Sequence, residues 1–114
     1  MSKHDTEIAL RQILSHARES VEILRGKTRA DLDNDRVLNL ALTRLLEIIG
    51  EAANRVPDSV QEKYPHLPCL QMIGLRNRLI HGYDVVDLDV LWDTIQDDLP
   101  ALIVQLREAL GQRD

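Results

Sequence analysis

Within eight residues, Arg76-Asn77-Arg78-Leu79-Ile80-His81-Gly82-Tyr83, the chain places arginine, a carboxamide, histidine and tyrosine. Histidine ordinarily exchanges a proton near neutral pH. Arginine offers a planar, permanently charged fork that matches two phosphate oxygens. Together they supply what RNA needs to be cleaved without a metal: a proton carrier for attack of the 2′-hydroxyl on the adjacent phosphate, and a cation for the charge developing there. Arg76 and His81 are therefore the candidate catalytic pair. Asn77 is a supporting group, able to hydrogen-bond to the imidazole or to the substrate. The same residues have plainer uses. Histidine at a helix end is commonly a cap, and arginine on a helix commonly pairs with carboxylates such as Glu47 or Glu51. Tyrosine just past a glycine commonly packs over the helix end. Spacing by itself does not separate these readings.

Geometry adds a constraint. On one continuous helix Asn77 and His81, four residues apart, share a face. Arg76 and His81 then lie roughly 140° apart, at ~100° per residue. They meet only through long side chains, unwinding near Gly82, or a two-fold copy of the same helix. Arg78 takes another bearing and faces solvent, while Leu79 and Ile80 belong to packing. A helix C-terminus near Gly82 would favour a protonated imidazole.

That helix is the third of four predicted by periodicity. The first runs over about residues 6–25, with Ile13, Ala17, Val21 and Leu24 at helical spacing, and Gly26 stops it. Asp31, Asp33 and Asn34 can each cap the second, and Asn34 is the favoured one, with Asp35 in its first turn. Along it Val37, Leu38, Ala41, Leu45, Ile48, Ile49 and Ala52 cover one side, widened by Leu42, Leu46 and Ala53. Arg44, Glu47, Glu51 and Asn54 form a polar stripe broken by Leu40. So wide an apolar face calls for neighbours on more than one side, in this chain or in a second. Pro57 and Pro65 bracket a connector with a short extra helical turn near residues 60–63. Pro68 opens the third helix and Gly82 ends it. Asp87 or Asp89 opens the fourth, which Pro100 should kink or interrupt. The pattern predicts an all-α fold, an antiparallel four-helix bundle, with no competing strand.

Composition sets the outer limits. The 114 residues suffice for a single domain spanning 1–114. Aromatics are confined to Tyr64, Tyr83 and Trp92, with no Phe, so aliphatic side chains must fill the core. A net charge of −5 speaks against wholesale wrapping of nucleic acid, but not against a local basic cleft. Cys69 stands alone, which fits a reducing compartment and excludes an internal disulfide. It reads as a small buried apolar residue. His4, His16, His66 and His81 are scattered, and no Glu-x-x-His pair supports a metal site or cofactor. The polar N-terminal residues and the lack of a long apolar run point to a cytoplasmic protein with no membrane contact.

The octet resembles the Arg-x4-His-x-Tyr signature of HepT-type toxins, members of the HEPN superfamily. The likeness extends over nearly the whole chain: Leu45-Leu46-Glu47-Ile48-Ile49-Gly50-Glu51-Ala52 is similar to that family's second helix, residues 65–75 to the approach to its motif, and residues 84–100 to its last helix. One departure is Cys69, which follows Pro68 where relatives are expected to carry Trp. The resemblance implies a HEPN-like helical domain and a metal-independent endoribonuclease, the toxin of a type VII toxin–antitoxin system. It implies Arg76 and His81 as catalytic, Asn77 as supporting, RNA as substrate, and a cleft formed across a homodimer. It further implies a minimal nucleotidyltransferase antitoxin that silences the toxin by transferring AMP to Tyr83. Nucleotides attached there would set bulk and negative charge beside the groups that receive RNA phosphate. The alternative within the superfamily is a non-catalytic, nucleotide-binding or docking subunit of a nucleotidyltransferase, whose mark would be loss of the Arg or His. Both residues are present.

Overall fold

Ala9, Leu10, Ile13, Leu14, Ala17 and Leu24 recur at helical spacing as the buried stripe of α1 (Lys3–Leu24). That stripe lies against α3 (Arg36–Asn54) and α8 (Leu99–Ala109). The structure, a computed structural model, describes residues 3–81 and 85–111, with His81 described by its backbone alone. Gly26 turns the chain out of α1 at φ 75°, a left-handed conformation that costs residues bearing a Cβ about 1 kcal/mol or more.

A short helix that periodicity did not predict follows, α2 (Arg29–Asn34). Thr28 and Asp31 build a reciprocal cap in which each side chain accepts the other's backbone N–H. Hydrogen bonding from Thr28 holds the Asp31 carboxyl below its ordinary pKa. Because Asn34 is thereby the last residue of α2, the cap of α3 is Asp35, whose carboxylate accepts from the Leu38 amide at 3.0 Å. The expected cap at Asn34 is corrected by one residue.

The buried face of α3 is also rotated from the expected one. Leu42, Leu46, Ile49 and Ala53 are fully buried, whereas Val37 is 77% exposed and Leu40 48%. Ala41 is exposed as well. An apolar strip on the N-terminal half of α3 is thus left uncovered by the described residues.

The connector contains the extra helix, α4 (Asp58–Lys63). The expected third helix is two short ones, α5 (Cys69–Ile73) and α6 (Leu75–Leu79), separated by Gly74. Gly50 lets α5 close on α3: a Cβ at Gly50 would stand 2.8 Å from the Met72 carbonyl oxygen.

Gly82 does not end α6. The helix stops at Leu79, and Ile80 is extended at φ −110°, ψ 117°. Ile80–His81 form β1, paired antiparallel with β2 (Val85–Val86) in the register Ile80↔Val86 and His81↔Val85. The Asp87 N–H continues the ladder by donating to the Leu79 carbonyl at 2.6 Å. The absence of strand expected from the sequence is corrected here; β-branched Ile80, Val85 and Val86 favour the extended state. Asp87 then caps α7 (Leu88–Asp93) through the amides of Asp89 and Val90. Ahead of Pro100 the backbone takes a π-helical turn (Thr94–Asp98) before α8 begins. Proline lacks a donor and crowds the preceding turn, so a locally widened helix relieves it. Apart from the two-residue ribbon, the regular structure of the described residues is helical.

Candidate active site

Short α6 positions Arg76, and α3 supplies the wall that faces it. Arg36, Asn39, Leu40, Thr43 and Glu47 fall on one stripe of α3 and line an open groove of about 550 Å³ together with Arg76, Ile80, Val85, Val86 and Leu88. The Arg76 Nε–H donates to Glu47 Oε2 at 3.3 Å. Arg76 is 59% exposed at its side chain and Glu47 18%. A guanidinium has five N–H donors, so this bond leaves the Nη groups for a ligand. Exposed pairs such as Arg11–Glu7 and Arg25–Glu22 contribute little, because water screens them. Glu47 has less access to water than those carboxylates and so depends more on its partner.

Other expected site residues fare differently. Asn77 is exposed on α6. Arg78 is exposed, as expected of a solvent-facing residue, and its Nη2 donates to the Gln71 carbonyl at 2.9 Å, tying α6 back to α5. His81 has its backbone in β1, directly after Ile80, which lines the groove. The expectation that Asn77 and His81 share a helical face is corrected, because the helix ends between them and His81 is in a strand. The ~140° helical separation of Arg76 from His81 lapses for the same reason. Tyr83, the expected modification site, and Gly82 lie outside the described residues.

Arg36 is the groove residue that sequence reasoning passed over. Its signal was present, since positions 36, 40, 43 and 47 recur at three- and four-residue steps along one helical stripe. Cys69 is buried, and that burial raises its thiol pKa, as suits a packing residue rather than a nucleophile. Among the described residues no group of three or more His, Cys, Asp or Glu side chains could hold a metal ion. No helix among them is long and apolar enough to cross a membrane.

A family model described as "Ribonuclease HepT-like" matches residues 13–109. The chain is 38% identical over 88 residues to the "Probable ribonuclease HepT" of Thermococcus cleftensis, covering 74% of this chain and 80% of that protein. It is 36% identical over 102 residues to a provisionally named RNase of Methanocaldococcus jannaschii, covering 90% of this chain and 94% of the relative. A provisionally named RNase of Caldanaerobacter subterraneus subsp. tengcongensis is 37% identical over 101 residues, 89% of this chain and 90% of its own. No solved structure matches the chain.

Proposed function

The chain belongs to the HepT-like ribonuclease family, and from that footing we propose that it is the RNA-cleaving toxin of a type VII toxin–antitoxin system, acting as a metal-independent endoribonuclease on a four-helix, HEPN-like scaffold. The observation that carries the reading is Arg76 lining an open groove with its Nε held by Glu47 and its remaining donors available to a phosphate. Arg76 and His81 are the catalytic pair and Asn77 supports them. In the cleavage step the 2′-oxygen bonds to the adjacent phosphorus as its proton leaves to a base. The bond from phosphorus to the 5′-oxygen breaks, and that oxygen takes a proton from an acid. A 2′,3′-cyclic phosphate and a 5′-hydroxyl result. His81 serves one of the two proton transfers and Arg76 neutralises charge on the phosphate oxygens.

The working cleft is shared by two copies of the chain in the cytoplasm. Exposed Val37 and Ala41 on α3 support this, because they give a second copy an apolar strip to cover beside the groove. Regulation acts on Tyr83. A minimal nucleotidyltransferase antitoxin joins the phenolic oxygen to the α-phosphorus of ATP, releasing pyrophosphate and the phenolic proton. Incubation with the cognate nucleotidyltransferase and ATP should add the mass of AMP to the peptide containing Tyr83 and suppress cleavage in step with labelling. Labelling by an active enzyme confined to other residues would contradict this assignment.

The ion pair to Glu47 also suits a plainer structural role for Arg76, and the non-catalytic docking subunit would retain it. Cleavage by the purified chain in excess chelator separates these readings, since a docking subunit leaves RNA intact.

A further inference from the structure

The groove carries a second guanidinium that the cleavage step leaves unused. Arg36 opens α3 and lines the same groove as Arg76. This chain is acidic, and carboxylates hold Arg11, Arg25, Arg29, Arg44 and Arg76. Arg36 is exposed and, among the described residues, has no ion-pair or hydrogen-bond partner for its side chain. Its charge is therefore available to an anion in the groove without first breaking a bond.

Distance decides which anion. Eleven residues separate Arg36 from Glu47, the anchor of Arg76, a rise of ~16 Å at ~1.5 Å per residue. One phosphate cannot bridge both ends. The middle of the groove is different in character: Leu40, 48% exposed, stands on one wall and Val85, 63% exposed, on the other. Asn39 commits its Nδ2 to the Leu32 carbonyl at 3.3 Å, which leaves its Oδ1 as an acceptor. Cation, apolar walls with a polar acceptor, then cation is a sequence that matches a single strand, whose phosphates alternate with base faces.

We propose that the groove along α3 is a track for single-stranded RNA, in which Arg36 holds a phosphate at least one nucleotide removed from the one engaged by Arg76. The proposal rests on the reading of Arg76 as the scissile-phosphate ligand and adds a subsite that provides affinity and not chemistry. Arg36 sits at the exposed first turn of α3, where its replacement removes no buried contact.

The test uses a DNA oligonucleotide with a single ribonucleotide, so that cleavage has one position, and a minimal dinucleotide that offers only the scissile phosphate. Arg36→Ala should raise KM for the oligonucleotide about tenfold, leave kcat within about twofold, and lower the slope of log KM against log salt by about one. Cleavage of the dinucleotide should not change, and Arg36→Lys should restore the salt slope. Unchanged KM and slope in Arg36→Ala would overturn the track, as would an equal loss on both substrates. A loss cured by raising protein concentration would make Arg36 an interface residue and overturn it too. Fluorescence anisotropy with the same oligonucleotide separates this proposal from the one beneath it. If the wild-type chain cleaves neither substrate, the nuclease reading fails. If Arg36→Ala leaves the anisotropy Kd and its salt slope unchanged, the track fails, whatever the cleavage result.

Discussion

Arg76→Ala should lower single-turnover RNA cleavage by about 10²–10³-fold, the usual cost of removing a group aimed at developing charge. The side chain is 59% exposed, so its loss leaves no large cavity and helicity should persist. Stability should still fall by about 1–3 kcal/mol, because the Glu47 carboxylate, 18% exposed, loses its bonded partner. The two effects can be separated. Arg76→Lys retains the positive charge beside Glu47 and should recover part of the stability. It lacks the planar fork and should recover cleavage only partly. Rapid-quench kinetics and thermal melts on the three proteins check both halves. A Lys variant that regained full activity would mean that charge alone suffices. An Ala variant with wild-type cleavage would remove Arg76 from the site.

Gly50→Val should give the largest loss of stability. A Cβ at position 50 meets the Met72 carbonyl oxygen at 2.8 Å, with the Met72 carbonyl carbon at 3.8 Å. The obstacle is backbone, so α5 must move as a unit. Overpacking of this kind costs about 1–3 kcal/mol, and two further methyl groups push valine to the upper end or beyond. At roughly 4–8 °C per kcal/mol, the melting midpoint should fall by about 10 °C or more. Met72 lies only four residues before Arg76, so a displaced α5 also shifts α6. Cleavage should therefore drop even at temperatures where the variant is folded. Gly74→Ala is the control: its added Cβ meets the Leu70 carbonyl at 3.4 Å, and it should be much milder. Equal melting points for the Gly50 and Gly74 variants would contradict the close-packing account.

These two cases also show what the sequence could reveal. Helices α1, α3 and α4 were legible because apolar periodicity and punctuation by Gly26 and Pro57 are local signals, although the cap of α3 fell at Asp35 and not at Asn34. Pro100 likewise announced its interruption, although not its π-helical form. Helix α2 was missed because six residues are too short to display a period, although Thr28 and Asp31 stood at capping-box spacing. The end of α6 was misread because Leu75 and Leu79 continue a helical pattern, while β1 is only two residues long. That misreading mattered most for the site, since it placed His81 on a helical face it does not occupy. Periodicity also identified the apolar residues of α3 but not their cover, which is why Val37 was assigned to the buried face. The Arg76–Glu47 bond joins residues 29 apart in the chain; spacing offered Glu47 as one possible partner, and only the packing of α6 on α3 selects it. The motif residues themselves were legible by type and order. Their arrangement was not.

The central claim is that this chain cleaves RNA with its own side chains. Its most direct test is cleavage of a labelled RNA by wild type and His81→Ala in excess chelator, with circular dichroism and sedimentation confirming matched folding and assembly. The account predicts wild-type products ending in a 2′,3′-cyclic phosphate and a 5′-hydroxyl, and no detectable cleavage by His81→Ala. Equal cleavage by the two proteins, or wild-type activity that disappears with the metal, would contradict it.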